Sequence, residues 1–155
     1  MQSNSLQHKK KTIQQNRKRL ENVPKMCMTC MHSKNMMEFK VTATGETIKI
    51  NQKITCTDSN VIYCVQCTIC HQQYVGKTTS QFKTRALAHR SSVGSNKGPV
   101  GEHFNLPGHQ TSNMLVFAFE KVSDKDPFIV GARERFYIDR MDVVRQGINK
   151  NRTNK

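Results

Sequence analysis

Residues 61–76, VIYCVQCTICHQQYVG, constrain this chain more than any other stretch. VIYCVQC is a β-branched run suited to a buried strand, TICHQQ offers a reversal, and QYVG returns as a second short strand ended by Gly76. Strands joined by so short a connection pair antiparallel. That pairing brings the phenols of Tyr63 and Tyr74 near one another on the sheet surface. Cys67 and Cys70 form a Cys-x-x-Cys inside the reversal.

The flanking sequence supplies what such a hairpin must pack against. Upstream, alternation in FKVT and TIKI around ATGE predicts another hairpin, turned at Gly45. From Thr79 the pattern becomes helical, with Thr79 or Ser80 as cap and Phe82, Ala86 and Val93 as the apolar stripe. SSVGSNKGP reads as a loop, followed by a short helix around Val100 to Phe104 that LPGH stops. LVFAFEKV is a strand of strong β-character. A final helix is capped by Asp126, with Pro127 in its first turn and Phe128, Ile129, Ala132, Phe136 and Ile138 recurring helically. The predicted class is α+β, a small, mainly antiparallel three-stranded sheet flanked by helices.

Charge narrows the partners. The 25 Lys and Arg residues against 11 acidic ones give a net charge of +14, which favours a polyanion, most often nucleic acid. No window approaches the roughly 18 apolar residues of a membrane span. The N-terminal MQSNSLQHKKKTIQQNRKRL lacks an apolar core of the kind a secretory signal carries. The six cysteines are therefore expected in a reducing compartment, where paired spacings point to metal before disulfides.

Several residue sets carry chemistry. Arg85 and His89 are four apart and share a helical face, a planar donor fork beside a proton acceptor. Glu134 lies between Val130 and Ile138 on a partly apolar helical face, where a carboxylate calls for a metal ion or an arginine such as Arg133 or Arg135. Cys67 and Cys70, with His103 and His109 flanking FNLPG, make a closed tetrahedral Zn²⁺ set of the structural kind. A second Cys-x-x-Cys, Cys27 and Cys30, has His32 and Cys56 as completing ligands, with the fourth position left open. Cys64 is expected in the core and His71 on the surface.

The motifs VIY, Val61 to Tyr63, and YVG, Tyr74 to Gly76, resemble those of the GIY-YIG nucleases, with Val61 where the first motif has glycine. Arg85 and His89, then Glu134 on a later helix, then Asn149 in GIN follow in that family's order. The resemblance looks closest to the C-terminal endonuclease domain of Penelope-like retroelements, where a Cys-x-x-Cys separates the tyrosine motifs and a His pair lies downstream. It implies hydrolysis of a DNA phosphodiester with one divalent metal, Mg²⁺ or Mn²⁺, held by Glu134. Arg85 would stabilise charge on the phosphate, and Tyr74, somewhat ahead of Tyr63, would act as base. His89 and Lys77 would assist, and Asn149 would orient the site.

The expected organisation is a basic, disordered arm over residues 1–24, a Cys-containing hairpin extension over 25–58, the nuclease-like domain with its inserted zinc site over 59–150, and a basic tail over 151–155. DNA is the expected partner, together with element RNA or the reverse transcriptase portion of the same element, in the nucleus. A nick would then prime synthesis at the target. The alternative is a catalytically inactive zinc-binding module that only binds nucleic acid. Retention of Glu134, Arg85 and both tyrosines favours the enzyme.

Overall fold

The computed structural model describes residue 29 and residues 36–152. The arm over 1–24 and the residues Cys27, Cys30 and His32 lie outside the described residues. Of the second cysteine set only Cys56 is described, as a half-buried free thiol.

The fold is α+β. Strands β1 (Glu38–Lys40) and β2 (Thr47–Lys49) form an antiparallel hairpin. Its turn carries Gly45 at φ +75°, a conformation that favours glycine. A three-stranded antiparallel sheet follows, built from β3 (Val61–Cys67), β4 (Gln73–Thr78) and β5 (Met114–Lys121) in the order β4-β3-β5. Between β4 and β5 run α1 (Phe82–Gly94) and α2 (Gly98–His103), and after β5 come α3 (Pro127–Arg140) and α4 (Val143–Gln146). No helix among the described residues is long and apolar enough to cross a membrane.

The central strand β3 is apolar and buried at every position but Gln66, because both of its faces are covered. On one face Val61, Tyr63 and Val65 pack with Phe82, Ala86 and Val93 of α1 and Val100 of α2. On the other, Ile62 and Cys64 pack with Val130, Tyr137 and Ile138 of α3 and with Phe39 and Ile48 of the hairpin. Cys64 is thus a core residue, as expected. Phe39 meets Phe117 and Phe119 at ring distances of 5.0 Å. Buried Gln73 adds a polar tie: its amide donates to the Lys40 carbonyl (2.9 Å) and its oxygen accepts from the Thr42 amide (3.0 Å).

Three local expectations are corrected. Strand β4 does not end at Gly76 but continues to Thr78, since Gly76 pairs in register with Tyr63. Helix α1 is capped by neither Thr79 nor Ser80. Its N-cap is Gln81, which makes no side-chain cap bond; the Phe82 and Lys83 amides instead donate to the carbonyls of Asp58 (2.9 Å) and Cys56 (2.7 Å). A preceding loop therefore satisfies the orphan amides that a capping side chain would otherwise take. Asp126 does cap α3, its carboxylate accepting from the Phe128 amide at 2.9 Å. The phase of α3, however, differs from the expected stripe. Val130, Gly131, Glu134, Tyr137 and Ile138 face inward, while Phe128, Ile129 and Phe136 are exposed. Guanidiniums cover two of those outward rings, Arg133 over Phe136 at 4.7 Å and Arg135 over Phe128 at 5.8 Å.

Candidate active site

Antiparallel register sets Tyr63 opposite Gly76 and Val65 opposite Tyr74, so both phenols project from the same face of the β3–β4 pair. Their rings lie 6.5 Å apart. They are not on the surface as expected: α1 covers them, leaving Tyr63 wholly buried and Tyr74 with a narrow exposed edge. Gly76 makes this possible. A β-carbon there would come within 2.6 Å of Tyr63 Cζ and 2.9 Å of Tyr74 Cε1, so only glycine leaves room for both rings. The sequence marked Gly76 merely as a strand end. Its part of the site was missed, although its place in the YVG motif was the available signal.

Arg85 and His89, one turn apart on α1, meet at the Tyr63 hydroxyl. Arg85 Nε donates to it at 3.0 Å, and His89 Nε2 lies 2.6 Å from the same oxygen. His89 is buried and pushed down to about 3, by loss of solvation first and then by the charges of Arg85 and Arg90. It is therefore a neutral imidazole, able to accept a hydrogen bond from the Tyr63 hydroxyl but too weak a base to take its proton. Burial raises both phenols, Tyr74 to about 12 and Tyr63 further. Arg85 pulls both down and Glu134 pushes both up.

Glu134 comes from α3, which packs against β4. Its carboxylate is 2% exposed, and the Lys77 ammonium stands 4.0 Å from Oε2. Of the arginines named as satisfying it, Arg133 is instead held by Glu120 through two hydrogen bonds. Asn149 is buried. Its amide makes a two-way bond to the backbone of Val75, accepting from N at 2.8 Å and donating to O at 2.9 Å. It fixes the stretch of β4 between Tyr74 and Gly76, which is a positioning role.

A cleft of about 360 Å³ opens at this point, lined by Tyr74, Arg85, His89, Lys97 and Lys150 among others. The two lysines were not anticipated as site residues, because each sits in a loop or tail with no pattern around it. Lys150 is ion-paired with Glu102.

The four expected zinc ligands converge. One donor atom from each of Cys67, Cys70, His103 and His109 lies within 4.8 Å of all the others. Tetrahedral Zn²⁺ with bonds of roughly 2.0–2.3 Å needs donors about 3.3–3.8 Å apart, so modest closing of the side chains completes the set. Cys70 Sγ and His103 Nε2 already stand 3.4 Å apart. His109 Nδ1 lies 3.2 Å from the Pro107 carbonyl, while its buried Nε2 has no hydrogen-bond partner. A backbone carbonyl on one ring nitrogen and a bare lone pair on the other is the usual setting of a metal-ligating histidine. The donor chemistry fits zinc. The site joins the β3–β4 reversal to α2 and the loop after it.

No protein-family model and no curated protein matches the chain. Among solved structures, the chain is similar to a glutamate-to-alanine mutant of the catalytic domain of intron endonuclease I-TevI. The TM-score is 0.50 at 21% identity, over 60% of this chain and 94% of that one. At that identity the likeness is one of fold, and the fold is the GIY-YIG fold that the two tyrosine motifs resemble.

Proposed function

We propose that this chain is a metal-dependent DNA endonuclease that hydrolyses a phosphodiester, one strand at a time. The observation that carries the reading is the convergence of Arg85 and His89 on the Tyr63 hydroxyl beside a cleft walled by Tyr74, with Glu134 buried against β4 and paired to Lys77. A structural core does not need a guanidinium, an imidazole and a phenol in one hydrogen-bonded group next to an open cleft.

In this reading the scissile phosphate enters the cleft and its developing charge is met by Arg85. Tyr74, on the cleft wall, first gives up its phenolic proton to solvent and then, as the phenolate, takes the proton of the attacking water; a new P–O bond forms as the bond to the leaving oxygen breaks, and that oxygen takes a proton from solvent. Neutral His89 holds Tyr63 in place behind it. The donor at Glu134 is a carboxylate oxygen, suited to a hard ion that keeps most of its waters. When bound there, Mg²⁺ or Mn²⁺ supplies positive charge that offsets the carboxylate's upward pull on both phenols and balances charge on the phosphate.

The Cys-x-x-Cys between the tyrosine motifs and the His103/His109 pair support a place in a Penelope-like retroelement. There a nick would prime synthesis in the nucleus beside the element's RNA and reverse transcriptase. The test is conversion of supercoiled plasmid to open circle by zinc-loaded protein, with Mg²⁺ or Mn²⁺ added. Arg85→Ala should lower the rate by about 10²–10³-fold, and Tyr74→Phe should lose more than Tyr63→Phe. Equal nicking by wild type and Arg85→Ala would defeat the assignment.

A further inference from the structure

Gly131 lies in the interior of α3, one turn before Glu134, where glycine costs a helix about 1 kcal/mol relative to alanine. The glycine leaves bare backbone beside the tips of two cationic side chains. A β-carbon at this position would meet Lys77 Nζ at 3.0 Å and Arg135 Nη1 at 3.5 Å. An ammonium from β4 and a guanidinium from α3 therefore converge over bare backbone, no further apart than those two distances laid end to end.

Like charges so placed repel unless an anion lies between them. Glu134 stands 4.0 Å from Lys77, which leaves two cations to one carboxylate. Among the described residues Arg133, Arg140, Arg145 and Arg152 each hold a carboxylate in an ion pair, and Arg135 is in none of those pairs. Its guanidinium lies instead along the Phe128 ring, which is 70% exposed. The partner to fit here is an anion from outside, presented by the molecule that occupies the neighbouring site.

We propose that Lys77 and Arg135, over Gly131, seat a DNA backbone phosphate adjacent to the one being cleaved. Arg135 is then a positioning residue, fixing the register of the strand relative to Glu134. The placement beside a scissile phosphate rests on the nuclease reading; the phosphate contact itself does not.

The test is the affinity of zinc-loaded protein for a short DNA duplex, without added Mg²⁺, across a range of KCl concentrations. Losing one phosphate contact lowers the slope of log K against log salt by about 0.9. Arg135→Ala should show that loss, and Arg135→Lys, which keeps the charge, should retain the wild-type slope. In nicking, Arg135→Ala should raise KM by a larger factor than it lowers kcat. An unchanged slope in Arg135→Ala overturns the proposal, as does an equal loss in Arg135→Lys. Wild-type protein that binds without nicking would defeat the nuclease reading and leave the slope comparison intact.

Discussion

At Gly76 the backbone passes directly beneath the Tyr63 phenol, and an alanine methyl would occupy space that both tyrosine rings now fill. Gly76→Ala is expected to cost about 1–3 kcal/mol by overpacking and, by displacing the rings, to slow nicking about 10²-fold; chemical denaturation and the plasmid assay report the two effects separately. His89 gives a second prediction at this scale. Its folded pKa is pushed down to about 3 from an ordinary 6.5, so between those values the unfolded chain takes up a proton the folded one refuses. Stability then falls as pH falls, and the contribution is fully present only above about 6.5. Between pH 6.5 and 5, wild type should lose on the order of 1–2 kcal/mol relative to His89→Gln. Equal losses in the two proteins would mean that His89 is not held neutral. Residue identities were legible here because tyrosine, arginine and histidine types survive in motif order. Their burial was not, since the helix that covers the phenols does so from a distance in sequence.

The elements were easiest to read where pattern and packing agree and hardest where polar residues face inward. β3 announced itself as a buried strand and is one. The inward face of α3 carries Gly131, Glu134 and Tyr137, so its apolar contrast is low, while its outward face carries phenylalanines that arginines shield. A periodicity argument picks the wrong face in that situation. The start of α1 was illegible for a related reason, because backbone carbonyls of Cys56 and Asp58 do the capping. The spacing pointed to Cys67, Cys70, His103 and His109 as one set, and the four do converge; zinc binding there is an element-scale prediction. Cys70→Ala should lower the zinc content by one ion per chain and destabilise the fold by about 3 kcal/mol, roughly 10 °C in melting temperature. Zinc content equal to wild type, measured by elemental analysis, would refute the site.

Across the whole molecule, a charge of +14 makes salt the controlling variable in any DNA contact. Residues 1–24 hold Lys9, Lys10, Lys11, Arg17, Lys18 and Arg19. Deleting them should flatten the salt slope of binding by up to about 5, while nicking at low salt survives. A slope unchanged by the deletion would show that the arm does not touch DNA. The two-faced sheet gives the molecule its logic, with the phenols and their partners under α1 on one side and Glu134 delivered by α3 from the other. The account therefore stands or falls on whether those two sides act together. The deciding measurement is conversion of supercoiled plasmid to open circle by wild type and Glu134→Ala, matched for zinc content and DNA binding, with Mg²⁺ or Mn²⁺ supplied and withheld. The account predicts metal-dependent nicking by wild type and a loss of about 10³-fold or more in the variant. Wild type that binds DNA yet nicks with neither metal, or a variant that nicks at the wild-type rate, would contradict it.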